Sequence, residues 1–234
     1  MQCGGRARTA RADGPAGYAD AIDAKYAAFG GPSSILGTAT GVETAIAGGS
    51  WRPYQRGGIY WSSGTTAHEV HGGIFARYVA VGGPATWGFP TTDESGAPDG
   101  RYSVFERLII GWTRTYGAHT VANGDLAEYR HLGGPANYGI PWIDEHRTPD
   151  GRGSYQHFTP NTVYGRSIYY YPGIGSHEVH GGIRATWSSL GWERSRLGYP
   201  TSDEYSIPGG RRSDFQHGYI TWDAATAQTT VHYS

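Results

Sequence analysis

Two tetrapeptides in this 234-residue chain could hold a metal ion: His68-Glu-Val-His71 and His177-Glu-Val-His180. Two imidazoles and a carboxylate are zinc-type ligands. Hydrolases that use them place the histidines at i and i+4 of a helix, with the Glu as base. Here the histidines are three apart, and the matching segments elsewhere, His119-Thr-Val-Ala122 and Thr229-Thr-Val-His232, are incomplete. A structural role for His68, His71, His177 and His180 is therefore expected, with metal as the sharper alternative. Four glutamates form a second candidate: Glu43, Glu94, Glu145 and Glu204. Carboxylates about 5–10 Å apart cleave glycosidic bonds. These four, however, each follow a glycine by six residues (Gly37, Gly88, Gly139 and Gly198). One position used four times fits a local task, a carboxylate accepting backbone N–H bonds to hold a Gly/Pro turn. No G-x-S-x-G elbow, phosphate loop or dinucleotide fingerprint is present, and each of those marks a chemistry that this chain then lacks. A non-enzyme without cofactor is expected, with a zinc- or carboxylate-dependent hydrolase as the alternative.

Aromatic residues form the third candidate. Trp61, Trp112, Tyr170 and Trp222 each stand two residues after an isoleucine (Ile59, Ile110, Ile168 and Ile220). They could stack on sugar rings or on lipid. At strand alternation they share the isoleucine face, so packing between units is expected. Tyr60, Tyr169 and Tyr171 fall on the other face and are the better candidates for exposed stacking. The last two lie beside an insertion near Thr162 to Ser167, and loops carry function more often than the scaffold does.

The elements that must position these residues are repeated. A second glycine follows each Glu by six (Gly49, Gly100, Gly151 and Gly210), and the units are spaced by 51, 51 and 59 residues. An aromatic comes five residues later, at Tyr54, Phe105 and Phe215, with Tyr155 one place early. The Ile-x-Trp step, a small-residue turn and a valine (Val70, Val121, Val179, Val231) complete the frame. Period-2 patterning between turns predicts a β-hairpin. Ile22 with Tyr26, Ile74 with Tyr78, and Ile183 with Trp187 are i,i+4 pairs that predict a short helix. Each helix ends near a glycine: Gly30, Gly82, Gly133 or Gly191. The chain thus reads as a β-rich tandem repeat with short helices: four units of about 51 residues, each a short helix, a Gly/Pro/acid loop and a β-hairpin. Their bounds are about 19–70, 71–121, 122–179 and 180–234. Units this small must stack, and a compact ring or propeller-like arrangement, which removes exposed edges, is favoured over an open solenoid.

These motifs carry a family resemblance. Leu197-Gly-Tyr-Pro-Thr-Ser-Asp-Glu204, Gly209-Gly-Arg211 and Phe215-Gln-His-Gly-Tyr-Ile-Thr-Trp222 resemble the LGFP repeat of actinobacteria. So do Trp87-Gly-Phe-Pro-Thr-Thr-Asp-Glu94, His71-Gly-Gly-Ile74 and His180-Gly-Gly-Ile183. The first unit departs from the pattern by Ala39 in place of Pro, and the third by its insertion. The resemblance implies a secreted or envelope-associated binding module whose partner is cell-wall glycan or peptidoglycan. Such repeats sit beside secreted hydrolases and acyltransferases, so a catalytic partner domain is a further implication. A protein-interaction scaffold is the other non-catalytic alternative.

Composition excludes further classes. Gly 38 and Pro 13 make 51 of 234 residues, close to low-complexity values, yet Trp 8, Tyr 18 and Phe 6 are too many rings for a disordered chain. Net charge is -1 and no Lys/Arg cluster occurs, so nucleic acid is not an expected partner. The longest strongly apolar run is about Leu108 to Ile110, far short of a membrane span. Cys3 stands alone, without an internal disulfide partner. Residues 1–18 hold Arg6, Arg8 and Arg11 with no apolar segment after them, and read as a disordered extension rather than a secretion signal.

Overall fold

The computed structural model describes residues 18–234. The expected extension thus lies outside the described residues, except for Tyr18, which opens the first helix. In the first unit, helix α1 (Tyr18–Ala28) precedes strands β1 (Thr44–Ile46), β2 (Gly49–Tyr54), β3 (Gly57–Ser62) and β4 (Thr66–His71). The second has α2 (Gly72–Ala80) and α3 (Gly83–Trp87), then β5 (Ser95–Ala97), β6 (Gly100–Val104), β7 (Leu108–Thr113) and β8 (Gly117–Ala122). The third has α4 (Asn123–His131) and α5 (Gly134–Asn137), then β9 (His146–Arg147), β10 (Ser154–Phe158), β11 (Arg166–Tyr171) and β12 (Gly175–His180). The fourth has α6 (Gly181–Leu190), then β13 (Tyr205–Ile207), β14 (Gly210–Phe215), β15 (Gly218–Asp223) and β16 (Thr229–Tyr233). Short 3-10 turns at Gly31–Ser33 and Trp192–Arg194 stand where α3 and α5 stand in the middle units.

Each unit is a separate four-stranded antiparallel meander rather than the expected hairpin. The first strand of each sheet holds two or three residues, too few to show a period in sequence. Strand pairing does not join the sheets. Side chains and helices do, so the row is not closed by edge pairing.

The helix lies between successive sheets. Tyr60 and Val70 from the first sheet, Ile74 and Tyr78 from α2, and Phe105 and Ile110 from the second sheet form one core. Ile109 and Val121, then Leu126 and Tyr129 of α4, then Phe158 and Ile168 form the next. Tyr169 and Val179, then Ile183 and Trp187 of α6, then Phe215 and Ile220 form the third. A smaller core of Ile22, Leu36, Tyr54 and Ile59 sits under α1. The central strands are thus covered on both faces. This corrects the exposure expected of Tyr60 and Tyr169, both 3% exposed. Strand parity put them on the face opposite Ile59 and Ile168, and that face belongs to the next unit. In the last sheet the Tyr60 position is held by Thr221, and Tyr219 lies two residues before it on the same face. There it stacks on His232 at 4.4 Å, and Arg212 lies 3.6 Å over its ring.

A tyrosine fastens each of the first three helices to its loop. The Tyr26, Tyr78 and Tyr129 hydroxyls donate to the Gly37, Gly88 and Gly139 carbonyls at 2.7, 2.5 and 2.6 Å. Trp187 fills this place in the fourth unit. The third unit is shifted from its expected frame. Pro90, Pro141 and Pro200 bridge to Phe105, Phe158 and Phe215, so Phe158, not Tyr155, is the repeated aromatic. Gly153, not Gly151, is then the frame glycine. A Cβ there would lie 2.2 Å from the Tyr170 carbonyl oxygen, as at Gly100, where it would meet that of Trp112 at 2.1 Å. Two extra residues in the β9–β10 turn hid this.

Candidate functional site

One residue before the tyrosine, each helix reaches the loop of the following unit. Lys25 of α1 pairs with Asp93. Arg77 of α2 pairs with Asp144 at 2.6 Å. At the third junction the residue is Glu128, whose carboxyl group faces that of Asp203. Burial opposes ionisation at all three aspartates. The Lys25 hydrogen bond and charge nevertheless hold Asp93 below the usual carboxylate range. Bonds from His119 and Thr120, together with Arg77, hold Asp144 far below it. Burial and then the adjacent Asp203 carboxylate push Glu128 up to about 7. Asp125 of α4 stands where Ile74 and Ile183 stand. It is 1% exposed and accepts the Ser176 hydroxyl at 2.7 Å, and burial pushes it up to about 6.

The histidines and glutamates interlock with this frame. His68 lies 3.2 Å from Asp93, and His177 3.1 Å from Asp203. The Glu94 and Glu204 backbone N–H groups donate to Glu69 at 2.9 Å and to Glu178 at 3.0 Å. His71 bridges two carboxylates, with Nδ1 2.6 Å from Glu69 and Nε2 3.3 Å from Glu94. His180 does the same with Glu178 at 2.8 Å and Glu204 at 3.4 Å. Burial disfavours the charged rings, but the bonded Glu69 and Glu178 outweigh it and raise both histidines. Among the described residues, no group of three His, Cys, Asp or Glu side chains is placed to hold a metal ion.

Each frame glutamate takes its partner from the residue just after the frame glycine. Ser50 donates to Glu43 at 2.7 Å and Ser154 to Glu145 at 2.5 Å. Arg101 donates to Glu94 at 2.5 Å and Arg211 to Glu204 at 2.8 Å. The carboxylate therefore locks its hairpin through a side chain and not through the backbone N–H groups expected. Units alternate: the second and fourth carry the Glu-His-Glu-Arg set, and the first and third carry serine.

Trp61, Trp112, Tyr170 and Trp222 occupy equivalent register positions and are half-exposed, with Tyr170 the most open at 36%, and Trp112, Tyr170 and Trp222 lie beside the first turn of α2, α4 and α6. Tyr171 is half-buried and packs on Tyr199 at 4.5 Å. A cavity of about 530 Å³ opens between the first and second units, with Trp112 on its wall. Phe29 and Ile35 enter from the first unit, Ile74 from α2, and His71, Glu94 and Arg101 form the polar side. A Cβ on Gly73 would lie 2.6 Å from the Trp112 ring, so only glycine lets the indole lie against the helix start. Phe29, Ile35 and Arg101 were missed in the sequence because they belong to different units. The signal available was Gly-Arg, which follows the frame in the two units preceded by His-Glu-Val-His.

No helix among the described residues is long and apolar enough to cross a membrane. No curated protein matches the chain. Among solved structures, one similar chain is described as the extracellular domain of a one-component system from B. thetaiotaomicron, at 12% identity and a TM-score of 0.20. The match covers 81% of this chain, which spans only 21% of that one. The LGFP repeat model matches four times, over residues 36–85, 88–137, 139–195 and 197–233. This chain belongs to the LGFP repeat family, a repeat family rather than a catalytic one.

Proposed function

We propose that this chain is a non-catalytic binding module of the cell envelope, with wall polysaccharide or peptidoglycan as its ligand and the cell surface as its place of work. The observation that carries the reading is the set of half-exposed rings, Trp61, Trp112, Tyr170 and Trp222, held at one repeated place while the ionisable groups are spent on joining units. Rings that are partly exposed offer flat apolar faces to sugar C–H groups, and the polar residues around them fix orientation. A compact propeller-like arrangement is part of the proposal, supported by helices wedged between successive sheets. Scattering from the purified chain should give a radius of gyration of about 17–18 Å, as for one compact body of this length. A clearly larger value would favour an open solenoid. Purified mycobacterial-type cell wall should retain the protein, and soluble arabinogalactan or peptidoglycan fragments should release it. Absence of retention on every wall fraction would overturn the reading.

A further inference from the structure

The cavity at the first junction has a composition that selects its occupant. Its volume of about 530 Å³ falls in the range of small-ligand sites, about 300–1,000 Å³. The apolar side is built from Phe29, Ile35 and Trp112, and the indole is fixed in place against Gly73. The polar side is built from His71, Glu94 and Arg101. Behind them Glu69, 1% exposed, completes the network by bonding His71. Glu69 and Glu94 set against Arg101 and the His71 ring leave no net positive charge. An anion gains no net attraction there. A purely apolar ligand would strip water from the Arg101–Glu94 pair and return no hydrogen bond, which is costly. A neutral ring of carbon with hydroxyls at its edge meets both sides: its C–H face lies on the aromatic rings, while hydroxyls donate to Glu94 and accept from Arg101.

We infer that this cavity is a binding site for one short stretch of neutral sugar, one site per chain. The inference rests on the envelope-glycan reading and narrows it to one junction and one charge class. The third junction repeats the polar set in His180, Glu204 and Arg211 with Trp222. There Leu132 stands before the glycine pair in place of Phe29. The His180 side chain is 37% exposed, against 9% for His71. Without the aromatic lid the same polar set faces water, and water competes for its hydrogen bonds.

The test is calorimetric titration of the full chain with neutral arabinose and galactose tetrasaccharides, with glucuronate oligomers and octanoate as comparison ligands. At least one neutral tetrasaccharide should bind at one per chain, and the two comparison ligands should not compete. Arg101→Gln should weaken binding at least tenfold. Ile35→Trp, at a rim position 53% exposed, should fill the cavity and do the same without touching the core. Arg211→Gln should leave binding unchanged. Equal weakening by Arg211→Gln, no effect of Arg101→Gln and Ile35→Trp, or equal competition by octanoate would each overturn the site. Retention on wall with no tetrasaccharide binding would sink the cavity while leaving the envelope reading standing. Tetrasaccharide binding without wall retention would do the reverse.

Discussion

Tyr78→Ala should lower the stability of the folded chain by about 4 kcal/mol, within the range for losing a large aromatic from a core. The side chain is 0% exposed and meets both sheets that flank α2. It is edge-on to Tyr60 of the first sheet at 5.4 Å and stacked on Phe105 of the second at 4.2 Å. Its hydroxyl also satisfies the Gly88 carbonyl, which would be left without that donor. Three contributions are lost together: apolar burial, two ring contacts and one buried hydrogen bond. Tyr78→Phe separates them, because it keeps the rings and removes only the donor, and should cost about 1 kcal/mol. Urea unfolding followed by Trp fluorescence measures both. Because α2 is the wedge between two units, Tyr78→Ala should also weaken their coupling and broaden the transition, as in repeat arrays whose neighbour contacts fail. A loss below 1 kcal/mol for Tyr78→Ala would show that the junction is held elsewhere.

The repeat frame was legible because its marks are local. The Gly-to-Glu spacing, the Ile-x-Trp step and the i,i+4 helix pairs each lie within one element, and period and turn chemistry suffice to read them. What escaped depends on the neighbouring unit. Tyr60 and Tyr169 alternate out of the isoleucine face as an exposed residue would, but the next helix and sheet cover them. Alternation reports two faces and does not say that both are buried. The hydrogen-bond partners of the frame glutamates escaped for a different reason. Ser50, Arg101, Ser154 and Arg211 share a position but not a chemistry, so no single motif marks all four. The Phe158 frame was obscured by two residues in a turn. The cavity could not be read at all, since Phe29 and Trp112 are brought together only by stacking.

The junction residues that precede the helix tyrosines make a comparison within one molecule, and Glu128→Lys should restore to the third junction what Lys25 and Arg77 supply to the first two. Burial and Asp203 raise Glu128 from the ordinary 4.5 to about 7. The folded chain therefore binds more protons than the unfolded chain between about pH 4.5 and 7, and stability falls as pH rises through that window. His177 and Glu178 also face this group, the first easing and the second adding to the repulsion. At 1.36 kcal/mol per pH unit the full effect would be about 3 kcal/mol. Glu128 is only half-buried, and screening by solvent reduces this to about 1–2 kcal/mol. Asp144 gives the opposite sign. Its carboxyl is held far below the usual range, so the second junction is intact above the ordinary carboxylate value and weakens only in acid. Glu128→Lys should accordingly stabilise the chain by about 1–2 kcal/mol at pH 8, where the wild type carries two adjacent carboxylates. At pH 5 the wild-type Glu128 is protonated and the repulsion from Asp203 is relieved, and the gain should shrink to within about 0.5 kcal/mol. Glu128→Gln, which stays neutral, should flatten the pH dependence without adding a cation. Urea midpoints for the three proteins at pH 5 and pH 8 decide the matter. Equal shifts at both pH values would show that Glu128 and Asp203 do not repel one another, and a loss at pH 8 would show that the third junction has no room for the cation that the other two employ.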